Sequence, residues 1–194
     1  MNFLAHIYLS DENEYIKIGN FIADAIIGNK YKHLPKEIQT GILLHRQIDS
    51  FTDAHKIVRL SKRRLHARYN HYDGVIIDIL YDHFLAKNWL HYSAIPLKIY
   101  TENFYQLLTE NYDLLPIKTK HLMPYMIRDN WLLSYATIEG IAKVLEGMNK
   151  RTKNKSQMHL AVEDLQLYYT DFENDFTEFF GQLIQFTAKE IKTL

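Results

Sequence analysis

The chain contains no cysteine, which removes disulfide staples, thiolate metal sites and a cysteine nucleophile together. Glycine (7) and proline (4) are scarce in 194 residues, too few turn-formers for a hairpin-rich β protein, and the shortage favours long helices. No apolar run approaches the ~20 residues of a membrane span. The first nine residues carry no basic stretch and run into Asp11-Glu12, which is not the pattern of a secretory signal. A cytosolic protein with no membrane partner is expected. An excess of one charge is missing too: 23 Lys+Arg balance 23 Asp+Glu, which argues against a general nucleic-acid binder. There is no P-loop, no G-x-G-x-x-G, no G-x-S-x-G and no H-E-x-x-H, so those phosphate-binding, nucleophilic and zinc chemistries are set aside.

What is present is an ordinary globular composition, 47% hydrophobic and 24% charged, in a chain long enough to bury a substantial core as one domain. Ser10 with Asp11-Glu12 reads as a helix start, and that helix is expected to run to Ile27 and stop at Gly28-Asn29. Pro35, Pro96 and Pro116 sit where further helices begin. Thr52 or Asp53 can cap a basic helix to Tyr69, and Asp73 one from Gly74 to Tyr92. Thr137 with Gly140 marks a helix near 138–148. A long final helix is expected over 156–191, where Leu165, Phe172, Phe176, Phe179, Phe180 and Leu183 recur mostly at three- and four-residue spacing. No stretch alternates over a strand's length. The class is all-α, a single-domain helical bundle.

Charge is balanced in total but unevenly spread. From Ala54 to Tyr72 there are Lys56, Arg59, Lys62, Arg63, Arg64 and Arg68 with no acid among them, whereas Glu163 to Glu178 is acid-rich. More informative are ionisable residues inside segments apolar on every side. His6 lies in Phe3–Leu9, Asp24 follows Ile18-Gly19-Asn20-Phe21-Ile22, and His45 and Asp49 are four apart in Gly41–Asp49. Asp78 and Asp82 are likewise four apart in Val75–Leu85, with His83 next. A helix apolar all round is buried, and a buried carboxylate must be neutralised, paired or bound to a cation. Residues i and i+4 share a helix face, so each pair can aim two ligands at one point. Such a His/Asp set suits Mn²⁺, Mg²⁺ or Fe. The plainer readings are a hydrogen-bonded core histidine for His6, a polar stripe for Asp24 and a surface pair for His45 and Asp49.

With these residues laid out, the chain resembles the acyl carrier protein phosphodiesterases (holo-acyl-carrier-protein hydrolases), relatives of the HD-domain phosphohydrolases. The matching stretches are Met1–His6, Gly19-Asn20 with Asp24, Gly41-Ile42 with His45-Arg46 and Ile48-Asp49, Asp53, Asp78 with Asp82–Leu85, Trp89, Trp131-Leu132, Gly147-Met148 and Arg151. The resemblance runs from the first residue to about residue 152. It implies an HD-like helical fold and a divalent cation, Mn²⁺ first. It also implies hydrolysis of the phosphodiester that joins 4′-phosphopantetheine to a serine of acyl carrier protein. Unlike the wider HD group, the adjacent pair reads Asp82-His83, and no His-Asp dipeptide occurs.

On that reading His45, Asp49, Asp82 and His83 are expected to hold the metal, with Asp24 and Asp78 ligating or orienting. His6 is expected as a ligand or as general acid to the serine leaving group. Arg46 and Arg151 are candidates to clamp phosphate oxygens. Lys56, Arg59, Lys62 and Arg63 are expected to dock the acidic carrier protein. Two rivals stand beside it: an HD-type phosphohydrolase acting on a nucleotide or other small phosphate ester, and a non-enzymatic helical binding module.

Overall fold

The computed structural model describes residues 1–194 and contains eleven α-helices, five 3-10 turns and no strand. The helices are α1 (Phe3–Tyr8), α2 (Glu14–Ile22), α3 (Lys36–Ala54), α4 (Lys56–Tyr69), α5 (Asp73–Lys87), α6 (Leu97–Glu110), α7 (Ile117–Arg128), α8 (Trp131–Ser134), α9 (Ile138–Arg151), α10 (Ala161–Leu167) and α11 (Tyr169–Glu190). The three prolines act as expected: Pro35, Pro96 and Pro116 each stand immediately before a helix. Thr137 caps α9 by accepting from the Gly140 amide at 3.0 Å. None of the helices is long and apolar enough to cross a membrane.

Several boundaries differ from the sequence reading. His55, not Thr52 or Asp53, caps α4, accepting from the Ile57 amide at 3.3 Å, and the helix that opens at Asp73 ends at Lys87, with a separate 3-10 turn at Trp89–His91 before Tyr92. Asn13, not Ser10, caps α2, accepting from the Ile16 amide, while buried Ser10 donates to the His6 carbonyl. α2 stops at Ile22 and passes into a 3-10 turn, Ala23–Ala25, which carries Asp24 out to solvent. The stretch 156–191 is not one helix. It opens with a 3-10 turn at Met158–Leu160 and breaks at Tyr168 (φ −110, ψ 26), so that α10 packs on α9 while α11 crosses α3, α4 and α5.

α5 is the central helix. Ile76, Ile77, Leu80, Phe84 and Leu85 are buried, and α1, α4, α9 and α11 surround it. α11 covers it with Phe172, Phe176, Phe179 and Phe180, all fully buried. The Phe176 ring lies 4.9 Å from Phe180 and 5.6 Å from Tyr81. At about 1.5–3 kcal/mol for each large apolar side chain taken from water, these rings dominate the docking of α11.

The crossing of α2 and α3 positions the site. A Cβ at Gly19 would lie 2.2 Å from the Ile38 carbonyl oxygen, and one at Gly41 would lie 2.2 Å from that of Ile16. Two glycines therefore let the two backbones touch. That approach sets Asn20, next to Gly19, against His45, one turn beyond Gly41.

Candidate functional site

His6 of α1, His45 and Asp49 of α3 and Asp24 of the turn after α2 converge at one point. The His45 Nε2 lies 3.1 Å from an Asp49 oxygen and 3.3 Å from an Asp24 oxygen, and His6 Nε2 lies 3.3 Å from the other Asp49 oxygen. The two imidazoles stack, with centroids 4.0 Å apart. One donor atom each from His6, His45 and Asp49 falls within a 4.8 Å sphere of mutual distances, close enough for one metal ion. The histidines are buried, Asp49 is half-buried and Asp24 exposed.

Asn20 decides what the imidazoles present. Its amide nitrogen donates to the His6 carbonyl and to Ser10 Oγ, both at 2.9 Å, so its Oδ1 must face the rings as acceptor. His6 Nδ1 donates to that oxygen at 2.7 Å, and His45 Nδ1 donates to it at 3.2 Å and to the Asn20 carbonyl at 2.9 Å. Both Nδ1 protons are thereby fixed, and both Nε2 atoms aim at the carboxylates. Burial and the neighbouring His45 hold His6 down at about 4, so its Nε2 is a bare lone pair at neutral pH, buried and without a hydrogen-bond donor. Burial works against a proton on His45, but Asp24 and Asp49 outweigh it and raise the group to about 9. Asp49 is driven the other way, well below the usual carboxylate range: burial opposes the shift, and its bonds to the two histidines prevail. A lone pair and a carboxylate pointed at each other across 3.3 Å call for a cation between them, and the donor set of two nitrogens with carboxylate oxygens fits a divalent metal.

The other expected residues divide. Asp78 lies on the near side of α5, 3.0 Å from the Met1 amine, which is also 3.9 Å from Asp49. Asp82 is not with His45 and Asp49. Its carboxylate accepts from the Leu4 and Ala5 amides at 2.7 and 3.3 Å, which caps α1, whose own N-cap residue Asn2 makes no capping bond. Burial raises Asp82 to about 7 against the pull of those amides. His83 is likewise turned away: Nδ1 donates to the Tyr135 carbonyl at 2.8 Å and Nε2 meets the Tyr169 hydroxyl at 2.9 Å, pinning α5 to the end of α8 and to α11. Both expected ligands are thus consumed by backbone and side-chain partners elsewhere, and His6 takes the place beside His45. Arg46 is also spent, donating to the Gly28 carbonyl at 2.6 Å and lying over the Tyr31 ring.

Arg151 lines a cleft of about 1130 Å³ between α5, α7, α8 and α9. Asp24 and Asp78 belong to its wall, so the cluster opens into it. Of the basic segment, Lys56, Arg59 and Arg63 are exposed along one face of α4, with Leu60 exposed beside them. Lys62 is paired with Asp53 at 2.9 Å. Asn20 is the functional residue to which spacing assigned no role. Its signal is a buried amide flanked by Ile18, Phe21 and Ile22.

The acyl carrier protein phosphodiesterase family model matches residues 1–183. Curated proteins of the same name from Photorhabdus laumondii and Pectobacterium atrosepticum are each 30% identical, over 188 and 186 residues. These alignments cover 95% of this chain and 94% and 96% of the relatives. A Yersinia enterocolitica protein of that name is 30% identical over 187 residues, 95% of this chain and 96% of its own length. No solved structure matches.

Proposed function

Because the chain belongs to the acyl carrier protein phosphodiesterase family, hydrolases of phosphodiester bonds, we propose that it cleaves the diester between 4′-phosphopantetheine and the carrier serine of holo-acyl carrier protein. In this reading His6, His45 and Asp49 hold a divalent cation, with Asp24 and Asp78 completing or orienting its surroundings. Mn²⁺ fits two imidazoles among carboxylates. Bound there, a divalent cation supplies Lewis acidity, acidifying water and drawing charge from phosphoryl oxygens.

The chain's own groups do the rest. Asn20 holds both Nδ1 protons, so the two Nε2 atoms stay turned to the site. His6, neutral near pH 7, is a poor proton donor and a good ligand, which favours the ligand role over that of general acid. Arg151 offers its guanidinium to phosphate oxygens at the cleft. Asp78, on the cleft wall, pairs with the Met1 amine at 3.0 Å and keeps that cation beside Asp49. The exposed α4 face of Lys56, Arg59 and Arg63, with Leu60 among them, matches an acidic partner surface carrying apolar residues. One observation carries the reading: two imidazole Nε2 atoms, oriented by one asparagine, meet carboxylates beside a large cleft whose wall includes Asp24 and Asp78.

The test is mass spectrometry of holo-acyl carrier protein incubated with the protein and Mn²⁺, with and without EDTA. Metal-dependent loss of the phosphopantetheine mass is expected. Intact holo-carrier after incubation with folded, metal-loaded protein defeats the substrate assignment and transfers the site to a small phosphate ester.

A further inference from the structure

The cleft beside the cluster is far larger than a phosphoryl group and a serine need. Ligand pockets commonly enclose ~300–1,000 Å³, and this one holds about 1130 Å³. Gly140, Val144, Gly147, Met148 and Arg151 of α9 all line it. They recur at three- and four-residue spacing, so they form one stripe along that helix. From Gly140 to Arg151 the stripe runs about 16 Å, at 1.5 Å per residue.

A pantetheine arm measured from its phosphate oxygen to its sulfur is a chain of about twelve bonds. At about 3.5 Å per three-bond unit of extended chain it spans ~14 Å, the length of the stripe. Its chemistry alternates two amides with methylene and dimethyl segments. The cleft offers both kinds of partner: Val144, Met148 and Trp131 for the apolar segments, and for amide N–H groups the hydroxyl oxygen of Ser134, whose own proton goes to the Trp131 carbonyl, beside Thr119.

Resting on the function proposed above, we infer that this cleft is the seat of the phosphopantetheine arm, laid along α9 with its phosphate at the Asp24–Asp78 wall. Recognition is then divided. The arm is read by α7, α8 and α9, and the carrier protein is read elsewhere.

Gly147 supplies the probe. A Cβ there would meet nothing within 4 Å, so the backbone accepts a side chain that projects from the cleft wall, and replacing a mid-helix glycine favours the helix. The experiment is calorimetric titration of the Mn²⁺-loaded wild type, Gly147→Ala and Gly147→Trp with free 4′-phosphopantetheine, with Tm and holo-carrier hydrolysis measured in parallel. Gly147→Trp is expected to weaken phosphopantetheine binding at least tenfold and to lower kcat/KM on holo-carrier by a similar factor. Its Tm should stay at or above that of the wild type, and Gly147→Ala should bind within twofold. Equal binding by the wild type and Gly147→Trp, or no binding by the wild type at millimolar ligand, overturns the assignment. Binding that Gly147→Trp blocks, without hydrolysis of holo-carrier by the wild type, supports the cleft and defeats only the proposed reaction.

Discussion

Asp82 holds the amides of Leu4 and Ala5 in its carboxylate, so its removal acts on α1 before it acts on any cation. Asp82→Ala strands two buried donors and is expected to cost about 1–3 kcal/mol, with weaker metal binding because His6 is carried on α1. Asp82→Asn keeps an acceptor and should retain full metal content. Equal metal loss in both variants, by elemental analysis of folded protein, would return Asp82 to the ligand set. A pH dependence follows from the paired imidazoles in metal-free protein. His45, raised to about 9, stabilises the fold fully below its ordinary 6.5 and loses that contribution as pH rises through 9. His6, lowered to about 4, contributes above 6.5 and loses it as pH falls through 4. Asp82, raised to about 7, contributes at low pH and loses it as pH climbs through 7. The last two oppose each other between about pH 4 and 6.5, so Tm in EDTA should change little there; it should fall below pH 4 as Asp49, held low by the two histidines, takes up a proton, and fall again between pH 7 and 9. A flat Tm across the alkaline window would contradict the protonated His45. At this scale the sequence showed which residues need partners. His45 and Asp49 were readable because their partner is four residues away. The partners of Asp82 and His83 are Leu4, Ala5, Tyr135 and Tyr169, far off in the chain, and no spacing reports them.

The α2–α3 crossing is the element on which the site depends. Gly41→Ala places a Cβ 2.2 Å from the Ile16 carbonyl oxygen, and only a backbone shift relieves that contact. A loss of about 1–3 kcal/mol is expected, read as a Tm fall at ~2–4 °C per kcal/mol for a chain of this size. Metal affinity should fall with it, because Asn20 moves away from the imidazoles. A variant with unchanged Tm and metal content would show that the crossing has slack. Helix identity was legible in the sequence because α5 and α11 carry unbroken apolar patterns and three of the four prolines mark starts, Pro124 alone lying inside a helix. The split at Tyr168 was not, since neither glycine nor proline stands there. The break follows from where α10 and α11 pack, which is a property of the assembled fold. The same holds for the turn carrying Asp24: Ala23-Asp24-Ala25 is a good helical sequence, and only the fold lifts it out of α2.

Across the whole molecule, the basic stretch 54–72 and the acidic stretch 163–178 largely answer each other. Arg64 pairs with Asp175 at 2.5 Å, and Arg68 reaches Glu163 at 3.0 Å and Asp164 at 3.2 Å. The buried Tyr69 donates its hydroxyl to Asp164 as well. These contacts tie α4 to the C-terminal helices, so the uneven charge is partly an intramolecular seam. The sequence displayed both blocks but not which cations the seam consumes. What remains free is Lys56, Arg59 and Arg63, at three- and four-residue spacing on the outer face of α4. The two groups of arginines therefore predict different outcomes. Reversing Arg59 and Arg63 to Glu should leave Tm unchanged and raise KM for holo-carrier several-fold more than it alters kcat. That effect should shrink as salt screens exposed charges beyond about 10 Å. Reversing Arg64 sets a like charge against Asp175 and should lower Tm while leaving KM for the surviving folded fraction near the wild-type value. If the Arg59/Arg63 variant keeps its KM at low salt, the α4 face does not receive the carrier, and the next surface to test is the set of cations that line the cleft, Lys118, Lys143 and Arg151.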